Sequence, residues 1–449
     1  MIRKIACGTA TLGASLFAAA TAYAQEAGVP IAAATETVET LAVPNPGNNA
    51  WMMTSTLLVL MMILPGLALF YGGLTRSKNM LSMMTQIGAT AALAMLIWVM
   101  WGYSTAFGPE GNAFFSWGNL FLSATTSDST AATFSDEVIS EYVFISFQMT
   151  FAAITAALIL GATAERMKFS ATMLFVTIWL TIVYFPIAHM VWAGGGLLFE
   201  MGALDFAGGT VVHINAGVSA LVLSFLLGKR HGYPAEPMPP HSLTLTMIGT
   251  GLLWVGWFGF NAGSELEADG TAGLAMINTF VATASAALFW MLCEKFSGHK
   301  GSALGYCSGI IAGLVAVTPA AGNSGPFGAI VLGAIASIVC FIMVAKVKPA
   351  LGYDDSLDAF GIHGVGGIVG AIGTGVVYAP SLGGPGGDDF MMGSQVMTQI
   401  IAVLVAIGWA AVGTLIAGFV TKMITGLRVS PEVEMEGLDI GEHGERAYN

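Results

Sequence analysis

Charged side chains are scarce in this 449-residue sequence, because Lys, Arg, Asp and Glu make up only 9% of it, against about 25% in ordinary soluble domains. By length alone the chain would form about three soluble domains, and so few charges could not cover three water-exposed surfaces. The apolar fraction is 55%, the mean hydropathy is +0.76, and 58 residues are Gly, a residue that is frequent in membrane helices. The composition therefore predicts a polytopic membrane protein.

Basic residues and cysteines are also few. Fifteen Lys and Arg stand against 27 Asp and Glu, for a net charge of −12, which excludes a nucleic-acid partner because such a protein needs a basic face. The four cysteines form no CxxC pair, and the first lies in the signal peptide predicted below. The odd number that remains argues against a disulfide framework and a structural zinc site, so we expect no metal and no other cofactor. The cysteines are Cys7, Cys293, Cys307 and Cys340.

The N-terminus has the pattern of a secretory signal. Arg3 and Lys4 precede a short, alanine-rich apolar segment, and Ala22-Tyr23-Ala24 supplies a small-x-small cleavage site. The alternative is an uncleaved first membrane span, which the shortness of the apolar segment disfavours. We predict a signal peptide over residues 1–24 and a loose periplasmic leader over 25–50.

Eleven apolar stretches are each long enough to cross a bilayer, which requires about 20 residues. Short polar connections separate them, and together they define a predicted membrane domain over residues 51–424. The stretches are 51–74, 80–102, 141–164, 169–192, 207–227, 242–262, 272–292, 302–320, 326–345, 357–378 and 395–421.

The basic residues test this count of spans. Every Lys and Arg after the signal peptide follows an odd-numbered span, so all of them fall on one side of the membrane, and the positive-inside rule makes that side cytoplasmic. We predict an N-out, C-in protein of a bacterial inner membrane. The residues are Arg76, Lys78, Arg166, Lys168, Lys229, Arg230, Lys295, Lys300, Lys346, Lys348, Lys422, Arg428 and Arg446.

The outer connections contain acids and no bases. Ordinary solvated loop ends would explain these acids, and the alternative is an outer mouth that attracts cations. An anion transporter would more naturally show the opposite sign. The acids are Glu110, Asp128, Asp136, Glu137, Glu200, Glu265, Glu267, Asp269, Asp388 and Asp389.

Spans five and ten resemble each other. The segments 205–217 and 358–367 each begin with Asp, continue through Phe and Gly, and place a His inside the span. A five-span unit that is repeated once lies upside down in its second copy, because five is odd, and inverted repeats are a transporter architecture. We predict repeats over about 51–227 and 242–378, followed by an extra helix at 395–421.

The two mid-span histidines, His213 and His363, are candidate functional residues. Ionisable groups inside spans are costly and mark ion or proton pathways, although a buried neutral His bonded to a nearby carbonyl is the simpler explanation. A metal site would need a third ligand, and the other histidines lie near span ends or in connections. A metal-free imidazole pair could pass a proton or hydrogen-bond a small polar molecule.

Asp205 and Asp358 precede these two helices at cap-like positions. A carboxylate there can accept hydrogen bonds from free N–H groups of the first turn, so we expect a structural role for both. Direct coordination of a cation by Asp205 is the alternative.

Aromatic residues cluster at the outer ends of spans three, four and six. Most such residues belong to the interface belt or the core, but together at one depth they could form a cage that binds a small cation through its ring faces. The cluster contains Phe147, Phe151, Trp192, Trp254, Trp257, Phe258 and Phe260, with Ser264 beside it.

At this point the residues resemble a known family. The run from Asp205 to Gly217, which continues to Gly228-Lys229-Arg230, is similar to the signature of the ammonium transporter (Amt/Rh) family. The segments 161–166, 256–264 and 360–367 extend the similarity, which covers the chain from about residue 50 to its end. Trp192 resembles the Amt branch more than the Rh branch.

The resemblance implies a homotrimer in the lipid membrane, with a pore through each subunit. It also implies roles for particular residues, which we state as expectations. Ammonium, or methylammonium, would be recruited at an outer site by Phe151, Trp192 and Ser264, with a phenyl gate of Phe151 and Phe260 below it. His213 and His363 would be a pore pair that relays protons, and Asp205 would be a structural acid.

The chemistry of ammonium agrees with these expectations. NH4+ is nearly as large as K+, so size cannot separate the two ions, but only NH4+ can lose a proton. An apolar constriction would reject both intact ions and pass neutral ammonia along the histidines. Whether NH3 passes alone or the proton follows separately stays open, and net ammonium uptake is expected.

The C-terminal segment 425–449 resembles a cytoplasmic regulatory tail that packs beside a PII signal protein, and a disordered polar tail is the alternative. Two other functions compete with transport. An ammonium sensor that signals through this tail is the first, although a longer signalling domain would favour it. A membrane metalloenzyme that uses both histidines is the second, and the missing third ligand disfavours it.

Overall fold

Eleven long helices form the bundle in the computed structural model, which describes residues 42–448. The predicted signal peptide over 1–24 and most of the predicted leader lie outside the described residues. All eleven helices are long and apolar enough to cross a membrane, so the predicted fold class is confirmed. We number them α1 Pro46–Leu74, α2 Ser77–Phe107, α3 Glu141–Thr163, α4 Phe169–Glu200, α5 Gly209–Leu227, α6 Leu243–Glu265, α7 Gly270–Phe296, α8 Ala303–Ala320, α9 Pro326–Leu351, α10 Phe360–Val377 and α11 Met392–Ile424.

Each helix overlaps one predicted span, and the first begins earlier than expected. The side chain of Asn45 accepts hydrogen bonds from the N–H groups of Gly47 and Asn48 at 2.8 and 3.1 Å, and Pro46 occupies the first helical position. Both features start a helix. Residues 46–50 of the predicted leader are therefore helical.

Two short hairpins between α2 and α3 were not predicted. They consist of antiparallel pairs, β1 with β2 and β3 with β4, whose strands of two or three residues are too short to show an alternating pattern. They lie at the end of the bundle that bears the acidic connections, which we call the acidic end; the opposite end, with the Lys and Arg connections, is the basic end. The strands are β1 Glu110–Gly111, β2 Ser116–Trp117, β3 Thr130–Ala132 and β4 Val138–Ser140.

Helices α5 and α10 cross in contact at glycines. A Cβ atom built on Gly217 would lie 2.2 Å from the backbone nitrogen of Gly364, and one on Gly367 would lie 3.0 Å from the carbonyl oxygen of Gly209. Only residues without a side chain permit this approach. The crossing brings together the two helical segments that contain the mid-span histidines.

A buried carboxylate accepts hydrogen bonds at the start of each of these two helices, but the carboxylate at the start of α10 is not that of Asp358, which the sequence predicted. Asp205 accepts hydrogen bonds from the N–H groups at the start of α5, and the corresponding acceptor for Ala359 and Phe360 at the start of α10 is Asp355, at 3.0 and 2.8 Å. Asp358 instead has a φ of 60° and pairs with Lys348 at 2.6 Å. The cap position predicted for Asp358 was therefore wrong, because the chain turns at Asp358 and directs its side chain elsewhere.

A buried ionic network joins four connections at the basic end. Glu165 pairs with Arg76 at 2.7 Å and with Arg230 at 3.2 Å, and Arg230 also pairs with Asp354 at 2.9 Å. Burial alone would raise the pKa of Glu165, but Arg230 and Arg76 hold this pKa below its usual value. The basic residues that indicate topology in the sequence therefore also hold the connections together.

We expect Arg230→Ala to destabilise the fold. The substitution leaves Glu165 and Asp354 buried without their shared cation, and breaking a buried pair in this way costs about 3–5 kcal/mol. Thermal unfolding of the purified protein in detergent measures the loss. Lys229→Ala is the matched control, because it removes one positive charge from the adjacent position without breaking any ion pair among residues 42–448. Equal unfolding temperatures for the two variants would contradict the assignment.

The tail folds back onto the basic end in two short helices, α12 Pro431–Glu436 and α13 Leu438–His443. The Glu434 carboxylate accepts hydrogen bonds from the His231 N–H and the Arg428 guanidinium, and Asp439 accepts one from the Ser82 N–H at 2.7 Å. The tail therefore contacts the connection after α5 and the beginning of α2.

Candidate pore

Three cavities follow one another through the middle of the bundle. The first, at the acidic end, has a volume of about 430 Å³, and the third, at the basic end, about 340 Å³. The middle one holds only about 10 Å³, about enough for a single water. Phe151 lines the outer cavity and stacks on Phe260, which lines the middle one, and Phe70 lines both the middle and the inner cavity. The cavities therefore define one path with a narrow centre.

The outer cavity contains the residues predicted for recruitment. Phe151, Trp192 and Ser264 all line it, and the rings of Phe151 and Trp192 meet edge to face at 5.8 Å. The indole N–H of Trp192 donates to the carbonyl of Asp205 at 2.9 Å, and the Ser264 hydroxyl donates to the carbonyl of Phe260 at 2.7 Å. These two bonds fix the orientation of the indole and of the serine hydroxyl in the wall of the outer cavity.

The two phenyl rings predicted to form a gate lie against each other. The rings of Phe151 and Phe260 are stacked, with centroids 4.1 Å apart and planes 18° apart. Both side chains are fully buried. An object that passes between the outer and middle cavities must move these two rings apart.

The two histidines lie next to each other in the middle cavity, beyond the stacked rings of Phe151 and Phe260. Their Nδ1 atoms are 3.4 Å apart and their rings are nearly parallel. His213 also stacks on Trp257, whose indole N–H donates to Thr318 at 3.0 Å. Two neutral imidazoles can share one hydrogen bond only if one Nδ1 donates and the other accepts.

The surroundings of the pair are apolar. His213 Nε2 is buried and has no hydrogen-bond partner among residues 42–448. Of the side chains that the structure describes, only the two imidazoles and the indole of Trp257 bring polar atoms to the middle cavity; its other lining residues are Met62, Leu67, Phe70, Ile154, Leu158, Val212, Leu253, Phe260 and Ile311.

The sequence of this chain matches one protein family along most of its length. The sequence model of the Ammonium Transporter Family matches residues 50–448. The chain belongs to the ammonium transporter family. The ammonium transporter of Aquifex aeolicus is 49% identical over 410 residues, which cover 90% of this chain and 93% of that protein. That of Bacillus subtilis is 44% identical over 404 residues, which cover 90% and 98%.

Solved structures of the family share the fold. Candida albicans Mep2 superposes with a TM-score of 0.80 at 36% identity, over 87% of each chain. A protein named Sensor Amt Protein has the same TM-score at 29% identity, over 88% of this chain and 98% of its own. The chain is thus a member of the ammonium transporter family in both sequence and fold, which supports ammonium transport rather than catalysis.

The metalloenzyme alternative finds no ligand set in the part of the chain that the structure describes. Cys340 lies near the pore, but its thiol contacts the carbonyl of Ile362 at 3.8 Å. No group of three or more His, Cys, Asp or Glu side chains within residues 42–448 is arranged to hold a metal ion.

The outer cavity also contains two side chains that were not predicted for the recruitment site. Gln148 and Glu265 line it beside the recruitment residues. The sequence predicts Glu265 only as one of ten outer acids, which are either solvated loop ends or an outer mouth that attracts cations, and its position next to Ser264 is the one signal that it faces the same space. Gln148 gives no comparable signal, because a polar residue between two aromatic positions of a helix usually faces another element.

Proposed function

We propose that this member of the ammonium transporter family recruits NH4+ in the outer cavity, removes its proton, and conducts ammonia past the two pore histidines. The narrow middle cavity supports the proposal most directly. Its volume of about 10 Å³ and its apolar lining leave no room for a hydrated ion, and a bare ion would lose its hydration without polar replacement.

Deprotonation provides the selectivity in this mechanism. K+ has no proton to lose, so the constriction stops it, whereas ammonia is neutral and can hydrogen-bond to His213 and then to His363. The released proton crosses separately through the shared Nδ1 hydrogen bond, because one imidazole can accept a proton on one side while its partner gives one up on the other. The net result is ammonium uptake.

The orientation follows from charge. The basic end, with Arg76, Lys229 and Arg428, faces the cytoplasm according to the positive-inside rule, so the outer cavity opens to the periplasm. We propose a bacterial inner membrane as its location, which the bacterial relatives support. We also propose that residues 25–45 precede the bundle as a periplasmic leader after removal of the signal peptide 1–24.

The assembly and the regulatory partner belong to the same proposal. The chain forms a homotrimer in the membrane lipid, with one pore per subunit. The folded tail at the basic end offers α12 and α13 on the surface where a PII signal protein would bind. Chemical crosslinking of membranes tests the homotrimer. Co-purification with a PII protein at varied nucleotide concentrations tests the regulatory partner.

Currents across proteoliposomes test the transport proposal. We expect a transient current on ammonium pulses and none on equal K+ pulses. If no current appears while ammonium still binds, proton-coupled uptake is wrong, and a pH-sensitive dye inside the vesicles then separates the remaining possibilities. Alkalinisation would indicate electroneutral NH3 passage. No pH change would favour the sensor function, which the similarity to the Sensor Amt Protein makes the second candidate.

We expect Trp192→Leu to weaken the apparent affinity for ammonium. A buried aromatic face contributes about 2 kcal/mol to the binding of a desolvated cation, which corresponds to about a 30-fold higher KM. Trp192→Phe is the matched control, because it keeps an aromatic face, although a smaller one, and lacks the N–H that donates to the Asp205 carbonyl, so we expect a smaller rise in KM than in Trp192→Leu. A KM that stays at the wild-type value in Trp192→Leu would show that the indole does not bind the ion.

A further inference from the structure

Three carboxylates follow Ser264 within five residues, and two of them have structural partners. Glu267 accepts a hydrogen bond from the Ser135 N–H at 2.9 Å and so holds the connection before α3. Asp269 accepts one from the Ala272 N–H at 2.9 Å and caps α7. Glu265 differs from both, because its carboxylate has neither a hydrogen bond nor an ion pair with any residue between 42 and 448.

Glu265 is nevertheless buried and directed into the outer cavity. Its exposed fraction is only 7%, and it lines this cavity with Phe151, Trp192 and Ser264. The next residue, Leu266, has a φ of 62°, which costs energy for a residue with a side chain. Glu267 is equally buried, at 8% exposed, but it does not line this cavity.

A buried carboxylate without a partner is unfavourable unless a cation offsets the lost hydration. Within residues 42–448 no Lys, Arg or His lines the outer cavity, so the charge of this carboxylate is offset either by a proton or by a cation that enters the cavity. Asp269 and Glu267 lie close enough to act on Glu265 electrostatically. Their negative charges make a compensating positive charge at Glu265 more favourable.

Two further polar side chains of the cavity indicate which kind of cation would fit beside Glu265. The side-chain oxygen of Gln148 is buried and has no hydrogen-bond partner among the described residues, and Ser264 has already donated its hydrogen to Phe260. Gln148 and Ser264 thus present two oxygen acceptors beside the carboxylate. Acceptors around a negative charge suit a small cation that has several N–H donors, such as ammonium or methylammonium.

We propose that Glu265 is a cation-binding residue of the outer site, where its charge offsets the dehydration of the incoming ammonium and Gln148 and Ser264 accept the remaining N–H groups. The inference rests on the proposed function and adds an anionic ligand to its aromatic site. The aromatic rings alone would attract the ion by their faces, and the carboxylate supplies a full negative charge at the same place.

The apparent KM of Glu265→Gln tests the inference. Gln has nearly the same shape and lacks the charge, so we expect the KM for ammonium-evoked current in proteoliposomes to rise at least about 10-fold, as for a lost hydrogen bond to a charged group. The maximal current should change less than about 2-fold, because the gate and the histidines are unaltered. Glu265→Asp, which keeps the charge, should recover most of the affinity.

Glu267→Gln and Asp269→Asn are the matched controls. Each removes one nearby negative charge and keeps a side-chain oxygen for its structural hydrogen bond, so both should leave the KM within about 2-fold of wild type at 0.15 M salt, where distant charges are screened. An unchanged KM in Glu265→Gln would overturn the inference. So would an equal rise in all three variants, since general attraction by the acidic end would then explain the effect.

The outcomes separate this inference from the proposed function. A wild-type protein without any ammonium-evoked current contradicts proton-coupled transport; ammonium binding to the solubilised protein, measured by calorimetry, then tests Glu265 by the same comparison of variants. A normal wild-type current with an unaltered Glu265→Gln overturns only the inference. If Glu265→Gln does not fold, Glu265→Ala replaces it; failure of both variants to fold would indicate a structural role and also overturn the proposal.

Discussion

Replacing both His213 and His363 with alanine should abolish the ammonium-evoked current. The two imidazoles are the only described polar side chains of the middle cavity besides Trp257, and their Nδ1 atoms share one hydrogen bond. Without them neither ammonia nor its proton has a hydrogen-bonding partner below the gate. Positioned groups that transfer protons accelerate reactions by about 10²–10⁴-fold, so we expect the current to fall at least about 100-fold.

The control for this experiment is a His231→Ala, His299→Ala double variant. It also lacks two imidazoles, but both are exposed and lie outside the pore, so its current should equal that of the wild type. The pore variant must also reach the same unfolding temperature range and yield as the wild type. A folded pore variant with an undiminished current would show that the proton does not cross through the histidine pair.

The second large effect is expected at Asp205. Its carboxylate accepts hydrogen bonds from the N–H groups of Gly208, Thr210 and Val211 at 2.9–3.0 Å, and Asp205→Ala leaves all three donors buried without a partner. Each such donor costs about 1–3 kcal/mol, so the free energy of unfolding should fall by several kcal/mol. We expect poor recovery of the folded protein and no measurable uptake.

The second repeat provides the matched comparison for Asp205. Asp355→Ala removes the acceptor of two N–H groups at the start of α10 and should lower the unfolding temperature clearly. Asp358→Asn loses only a partly exposed ion pair with Lys348, which contributes about 1 kcal/mol or less. If Asp358→Asn were the more damaging of the two, our assignment of the cap to Asp355 would be wrong. Thermal unfolding in detergent measures all three variants.

The contrast between Asp355 and Asp358 shows what the sequence pattern can and cannot predict about the carboxylate at the start of α10. In the sequence, Asp358 stands before Phe and Gly much as Asp205 does, and the similarity of the two segments favoured it as the cap. The spacing from acid to histidine differs, however: His213 is eight positions after Asp205 and His363 is eight positions after Asp355, but His363 is only five positions after Asp358. An alignment on the histidines would have identified Asp355, because the two carboxylates do the same work at the same distance.

Other parts of the site could not be predicted from pattern. Glu265, Glu267 and Asp269 are three similar acids within five residues, and apart from the position of Glu265 next to Ser264 the sequence does not distinguish the carboxylate that lines the cavity from the two that bond to the backbone. The same holds for Arg230, which indicates topology in the sequence but pairs with Glu165 and Asp354 only after distant connections meet.

The sequence by itself determined the eleven spans, the family and the two histidines. Membrane spans are visible because bilayer thickness demands long apolar runs in each segment separately, and charged side chains interrupt those runs only where the chain leaves the membrane. Tertiary structure decided how the spans meet: the glycine crossing that brings His213 and His363 together, the stacking of Phe151 on Phe260, and the position of Glu265 in the wall of the outer cavity. These depend on contacts between residues far apart in the chain, and such contacts have no local signature because a side chain's partners are set by the packing of whole helices.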